Sequence, residues 1–512
     1  MMNTSANNKR IAKNTLLLYV RTLITMVISL YTSRVVLNAL GVTDFGIYNV
    51  VGGVVAMFGF LNASMSVATQ RFLNFELGRG NTHQLIKVFV TSVNIHLIIS
   101  ALVLFLGETI GLWFLLNKMT IPSDRLIAAM WVYQCAIFST IILIVSVPYN
   151  ALIIAHEKMG AFAYISILEV SLKLLAVFLL FLTQNDKLII YSILMLIMQL
   201  IIRCIYGFYC KRHFHESKYH FILDNKLFKE MSSFAGWSLL GNIAFICFTQ
   251  GLNILLNVFF SPVVNAARGI SVQIQNAINQ FSSSFQMALN PQITKSYATN
   301  DLSYMYNLII RSSKFTLFLL LVLSVPVFLE TPLILKIWLG IVPEYTVIFV
   351  RLMLCATIID AVANPLVTAA SATGRIRKYQ IIVGGLLLLI IPISYIVLKS
   401  GGQPWRVFVV HIIICLCAFV ARLLFVRKMI GLPLKDYCCE VVYKGFKILF
   451  ILILFISIAR FYVFDDFTII GHLISDVVIM AFLCFLIYNL GLTINERNFI
   501  NSKISLLLKN KK

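Results

Sequence analysis

Two stretches of this sequence follow one pattern. VPYNALIIAHEKMGAF (147–162) and NPLVTAASATGRIRKY (364–379) each place a charged turn between two apolar runs. Three pairs of residues coincide at a shift of 217 positions: Pro148 with Pro365, Ala155 with Ala372, and Lys158 with Arg375. A charged turn that is made twice indicates an internal duplication.

The composition indicates the environment in which these turns lie. Hydrophobic residues make up 60% of the 512 residues and charged residues only 12%, whereas a soluble domain carries about twice that charge. The mean hydropathy is +0.91. We therefore expect a polytopic membrane protein. The apolar stretch 15–38 is long enough to span and lacks a cleavage site, so it is predicted to be a retained helix.

The apolar runs predict an all-α membrane protein with fourteen transmembrane helices. The predicted spans are 15–38, 45–68, 86–106, 126–151, 162–182, 188–210, 231–259, 264–288, 306–328, 345–370, 380–398, 405–426, 444–464 and 468–490.

Alternate connections carry most of the Lys and Arg. They include the N-terminus, the loop 211–229, the turn 375–378 and the C-terminal tail. By the positive-inside rule both termini are predicted to be cytoplasmic. The net charge of +22 then reflects topology and contact with anionic lipid headgroups. No nucleic-acid partner is expected.

The two turns join helices four to five and ten to eleven, so they lie six helices apart. An even displacement gives two halves of the same orientation, as in parallel-repeat transporters. A second, weaker match between the two halves aligns Gly46 and Ile47 with Gly269 and Ile270. The predicted domains are a six-helix lobe over 1–222, a second six-helix lobe over 223–435, and helices thirteen and fourteen with a basic tail over 436–512.

Polar residues inside the spans mark the candidate sites, because charge inside a membrane is costly and usually faces a cavity. The substrate-path candidates are Arg21, Lys173, Arg203, Arg268, Gln275, Asn279, Asn242 and Asn253. On helices seven and eight the polar residues form stripes, which either bond the two helices together or line a hydrophilic cavity. The coupling-ion candidates are Glu169 and Asp360, for H⁺ or Na⁺. Glu169 and Lys173 alternatively form a structural ion pair.

Among the charged candidates, four cations outnumber two acids, which favours an anionic cargo, and arginine forks suit phosphate oxygens. The sequence has no Walker A motif and no long soluble loop. We therefore expect a transporter and not an enzyme, with no cofactor. The ten Cys are scattered and are interpreted as apolar core residues, with no metal site.

Three segments carry a family resemblance. SRVVLNALGVTDFGIYNVVGGVV, SVATQRF and PYNALIIAHEKMGAFAYISILEVSLKL resemble the polysaccharide transporter family, the Wzx-type lipid-linked oligosaccharide flippases. Their superfamily also contains multidrug and toxin extruders and the lipid II flippase. The resemblance implies a 6 + 6 + 2 helix arrangement and V-shaped lobes that give alternating access.

The resemblance further implies a monomer in the bacterial inner membrane. It would flip undecaprenyl-pyrophosphate-linked repeat units to the outer leaflet for O-antigen, lipopolysaccharide or capsule assembly. A cationic lumen would hold the pyrophosphate, and helices thirteen and fourteen would form a groove for the lipid tail. Polysaccharide polymerase and chain-length proteins would be partners. The alternatives are a cation-coupled drug or metabolite antiporter, a lipid II flippase, and, less compatible with the short loops, a polymerase or ligase.

Overall fold

The structure is a computed structural model, and the part of the chain that it describes is helical throughout. It describes residues 4–56, 59–119, 121–220, 222, 224–260, 262–339, 341–463, 469–498 and 501. The predicted connection between helices thirteen and fourteen, and most of the predicted basic tail, lie outside these ranges.

The helices run in the following order, with π-helical turns at Gly107–Gly111, Cys438–Tyr443 and Ile487–Gly491. They are α1 Thr4–Ala56, α2 Gly59–Arg79, α3 Thr82–Leu106, α4 Leu112–Lys118, α5 Leu126–Ala155, α6 Met159–Leu179, α7 Lys187–His213, α8 Asn225–Phe259, α9 Pro262–Ala298, α10 Leu302–Leu329, α11 Thr331–Leu339, α12 Thr346–Ala372, α13 Arg377–Leu388, α14 Ile390–Lys399, α15 Arg406–Ile430, α16 Leu434–Tyr437, α17 Lys444–Val463 and α18 Ile469–Leu486.

Within the described ranges, eleven helical segments are long and apolar enough to cross a membrane, which confirms a multi-pass membrane protein. Three predicted spans are not among them: 45–68, 264–288 and 468–490. The second of these carries the polar stripe on α9, which lowers its hydropathy. In the third, only Ser475–Gly491 forms a shorter apolar helix. The count of fourteen remains a prediction.

Gly41 lies in the predicted connection between the first two spans. Its φ of 80° and ψ of 170° are not helical, so α1 consists of two helices that meet at a bend there. A left-handed φ is unstrained only for glycine. Just beyond the bend, Arg125 donates to Asp44 at 2.5 and 2.9 Å and to Asp186 at 2.6 and 3.2 Å. This charged cluster fixes α1 beside the start of α5 and the start of α7.

The chain forms two compact units, each assembled from several segments. Unit 1 contains 1–246, 283–305 and 368–385. Its main core packs residues from α2, α3, α5, α6, α7 and α8, and it includes Ala288 of α9 and Ile376 before α13. Unit 1 therefore holds both charged turns. The lobe boundaries at 222 and 435 remain predictions.

Unit 2 contains 247–282, 306–367 and 386–512, and Phe248, Phe349 and Phe408 lie in one of its cores. A buried lysine ties its later helices to α10. The Lys314 side chain is 1% exposed, and its Nζ lies 2.8 Å from Glu496 and 3.2 Å from Glu440. Burial alone would raise the pKa of Glu496, but the hydrogen bonds from Lys314 and Thr493 and the charge of Lys314 together outweigh it and hold that pKa below its ordinary value.

Candidate substrate path

Lys173 and Glu169 form an ion pair on α6, as their spacing predicts. Lys173 Nζ lies 2.8 Å from Glu169 Oε1, and both side chains are about one-third exposed. Lys173 also lines a cavity of about 350 Å³ in unit 1, together with residues of α1, α5 and α7 that include Asn49, Thr140 and Gln199. Glu169 and Lys173 thus form an ion pair whose lysine also faces the cavity.

Two further predicted cations in unit 1 lie against aromatic rings. The Arg21 guanidinium is 5.1 Å from the Phe162 ring centre, and that of Arg203 is 3.9 Å from the Tyr149 ring centre. Arg21 Nε is buried and has no hydrogen-bond partner among the described residues. Stacking on a ring face stabilises a cation without neutralising it. Unit 1 therefore retains an excess of positive charge over Glu169.

In unit 2, Arg268 of α9 donates hydrogen bonds to α8. Its Nη2 donates to the Thr249 carbonyl at 2.7 Å, and its Nη1 donates to the Asn253 side chain. Arg268 is only 5% exposed. For these residues the structure favours bonding between the helices over exposure to a cavity, although Arg268 Nε is left buried and unpartnered within the described residues.

The remaining candidates are divided between the units. Gln275 of α9 donates to Thr357 of α12 at 2.9 Å, and Asn279 is half-buried. Asp360 pairs with Arg422 of α15 at 3.2 Å. Asn242 lies in unit 1 and donates to Ser64 at 2.8 Å. These positions are established here; contact with a cargo or a coupling ion remains a prediction for every one of them.

Glu157, in the first charged turn, is a central residue that sequence reasoning missed. Its side chain is 1% exposed and accepts from Arg10 at 2.8 Å, Lys295 at 2.6 Å and Gln292 at 2.7 and 2.8 Å. Lys158, which the repeat alignment singled out, is exposed. Burial lowers the pKa of Lys295, and the adjacent carboxylate only partly reverses this.

The second charged turn makes a reciprocal contact. Arg71 of α2 donates to the Ala372 carbonyl at 3.1 Å, at the C-terminal end of α12. A Cβ on Gly374 would lie 2.7 Å from Arg71 Nη2. At the shift of 217, Glu157 corresponds to Gly374, and both are left-handed, with φ 58° and 75°. Each turn thus receives a basic residue from a helix of the other predicted repeat.

A buried contact between hydroxyl groups adds to this part of unit 1. Thr22 Oγ1 of α1 and Ser284 Oγ of α9 are 2.8 Å apart.

One signal in the sequence could have identified the importance of Glu157. It is an acidic residue at a position where the other predicted repeat has glycine, Gly374. That substitution is unusual, since few residues other than glycine adopt a positive φ.

A family model described as "Polysaccharide biosynthesis protein" matches residues 11–297, which is more than half of the chain. The chain belongs to this family, and the resemblance to polysaccharide exporters is confirmed. No curated protein matches the sequence.

Solved transporters share the fold. An outward-facing multidrug resistance MATE family transporter of the MOP superfamily aligns with a TM-score of 0.72 at 13% identity, covering 82% of this chain and 96% of that one. A MATE structure in the bent conformation aligns with 0.72 at 13%, covering 84% and 97%. A MOP superfamily transporter from Pyrococcus furiosus, with a binding pocket described as reversed in polarity, aligns with 0.67 at 12%, covering 82% and 96%. The chain therefore has a fold that is found in solved transporters.

Proposed function

We propose that the protein flips undecaprenyl-pyrophosphate-linked oligosaccharide repeat units across the bacterial inner membrane. The observation that carries this proposal is the positive charge of unit 1. Arg21, Lys173 and Arg203 outnumber Glu169, and Lys173 lines the 350 Å³ cavity. That volume is at the lower end for ligand pockets and suits a phosphorylated head group better than a lipid tail.

In this proposal the cations hold the pyrophosphate while the polyprenyl tail stays in the bilayer. Charge-assisted hydrogen bonds from Arg and Lys to phosphate are strong and need no chemical step. An H⁺ or Na⁺ gradient acting through Glu169 or Asp360 would drive the cycle. The exported units would serve O-antigen, capsule or exopolysaccharide assembly, with a polymerase and chain-length proteins acting next. Both termini would be cytoplasmic.

A second candidate is a cation-coupled multidrug or metabolite antiporter, favoured by the fold shared with MATE transporters. The cationic character of unit 1 weighs against a cationic drug as its cargo. A lipid II flippase is a third candidate, because its cargo carries the same pyrophosphate chemistry.

The first experiment is a deletion in the source organism, with surface polysaccharide and lipid-linked intermediates both quantified. We expect loss of surface polymer and accumulation of undecaprenyl-linked repeat units on the cytoplasmic leaflet. Normal polymer with increased sensitivity to cationic dyes would instead support the antiporter. A deletion that cannot be obtained would call for conditional depletion and assay of peptidoglycan precursors.

Complementation of the deletion strain with variants then tests whether the positive charge of Lys173 is needed for export. Lys173→Gln should reduce surface polymer at equal protein level, and Lys173→Arg should restore it, because the charge is what the cargo would require. Lys211→Gln is the matched control, since Lys211 is exposed at the end of α7. Full export by Lys173→Gln would contradict a role for this charge.

A further inference from the structure

Three potential metal ligands meet between α12 and α15 in unit 2. His411 and Cys415 are four residues apart and lie on one face of α15, and Asp360 faces them from α12. One ligand atom from each residue lies within 4.8 Å of the other two. His411 is 6% exposed and Cys415 is fully buried.

The histidine provides an independent indication of a ligand. His411 Nε2 is buried and has no hydrogen-bond partner among the described residues. A buried nitrogen without a partner loses its hydration and gains nothing in return. Histidine is the commonest metal ligand among side chains, and it binds metals through a neutral imidazole nitrogen such as this one.

The carboxylate is already oriented for such a role. Arg422 Nη1 donates to Asp360 Oδ1 at 3.2 Å, and the Cys415 thiol donates to Asp360 Oδ2 at 3.5 Å. Carboxylates that bind metals are usually held by a hydrogen bond on the far oxygen. Arg422 supplies that bond and leaves Oδ2 directed toward the thiol.

We propose that Asp360, His411 and Cys415 bind a divalent cation of borderline softness, with Zn²⁺ as the best fit. Sulfur and imidazole ligands favour Zn²⁺ over Na⁺, Mg²⁺ or Ca²⁺, which prefer oxygen. Three protein ligands leave a fourth position for water. On binding, the Cys415 thiol releases its proton to solvent and the thiolate sulfur bonds the metal, so each ion bound releases one proton.

A metal at this site would link α12 to α15 and occupy the carboxylate considered above as a coupling site. The ion would enter from the side of Asp360, whose side chain is 36% exposed. The proposal does not depend on the nature of the cargo, because it concerns binding alone and can be measured without transport.

The test uses the purified full-length protein in detergent, stripped with EDTA and titrated with Co²⁺ as a spectroscopic substitute for Zn²⁺. We expect a thiolate-to-cobalt charge-transfer band that saturates at one equivalent and disappears when Zn²⁺ is added. Cys415→Ser should abolish the band. Cys417→Ser should retain it, because Cys417 is exposed two residues further along the same helix.

Two further variants show whether a lost band reflects misfolding and whether other cysteines contribute to the band. Asp360→Asn keeps the thiolate, so the band should remain with an affinity weakened at least tenfold. Cys438→Ser/Cys439→Ser should bind as the unmodified protein does. The proposal is overturned if the unmodified protein gives no band, or if the band survives in a Cys415→Ser protein that elutes and melts normally.

Discussion

At the scale of the residue, Glu157 is an acidic side chain in a place with almost no solvent, since it is only 1% exposed. Three side chains satisfy it, and Asn14 donates to its backbone carbonyl at 3.2 Å. A carboxylate removed from water is tolerated only when its partners replace the lost hydration. Glu157 is therefore stabilised by Arg10 and by two residues of α9.

Glu157→Gln keeps the shape and removes the charge, which leaves Lys295 buried beside a neutral group. Breaking a buried pair in this way costs about 3–5 kcal/mol, so we expect a clear fall in the melting temperature of the detergent-solubilised protein. The exposed neighbour provides the control, since Lys158→Gln should melt unchanged. A double variant with Lys295→Met should recover part of the loss, because the two residues are coupled.

Gly374→Ala tests the other turn. An alanine at a left-handed φ costs roughly 1–2 kcal/mol, and its Cβ would displace Arg71. We expect lower thermal stability by at least this amount. Gly385→Ala is the matched control, because a Cβ there meets nothing within 4 Å and alanine favours a helix. Equal melting of the two variants would refute this account of the turn.

At the scale of the element, Lys314 connects α10 to the π-helical turn before α17 and to Glu496 near the C-terminus. The apolar periodicity of α10 predicts a helix but gives no reason for a fully buried lysine. The reason lies in two acidic residues more than 100 positions away, which no local pattern reveals. The helices were predictable from sequence because each membrane-spanning helix needs a long run of apolar residues. The ion pairs that join distant helices leave no such local pattern and were not predictable.

Lys314→Met should remove the lysine that Glu440 and Glu496 share and destabilise unit 2 by about 3–5 kcal/mol. Lys447→Met, on the exposed face of α17, should have no such effect. The pH dependence should change as well. The lowered pKa of Glu496 gives stability that is present above the ordinary glutamate pKa of about 4.3 and is lost as pH falls through the lowered value. In Lys314→Met the acid transition should move to higher pH, measured by melting across an acid series.

At the scale of the whole molecule, the sequence indicated the repeat only through a few matching residues at a fixed shift. The structure adds that basic residues of α2 and α9 contact the turn of the opposite repeat, within unit 1. The candidate site was partly predictable. The pairing of Glu169 with Lys173 followed from helical spacing, whereas the burial of Arg268 against α8 depends on packing that spacing alone does not specify.

Thr22 belongs to the first predicted lobe and Ser284 to the second. If alternating access separates these lobes at this point, we expect the contact between Thr22 and Ser284 to open in each cycle. Thr22→Cys/Ser284→Cys, in a background without the exposed native cysteines, should lose export on mild oxidation and regain it on reduction. Each single variant should export under both conditions. Undiminished export by a fully cross-linked protein would show that this part of unit 1 stays closed throughout transport.

Glu157 and Gly374 occupy equivalent left-handed positions in the two predicted repeats. A duplicated turn starts with the same residue in both copies, and only a change at that position separates 157 from 374. The acid at 157 is stabilised by the base at 295 as well as by Arg10, and the glycine at 374 is favoured by its left-handed φ as well as by the space that Arg71 occupies. Among relatives, the first pair should therefore be gained and lost together, and the second should vary independently of it.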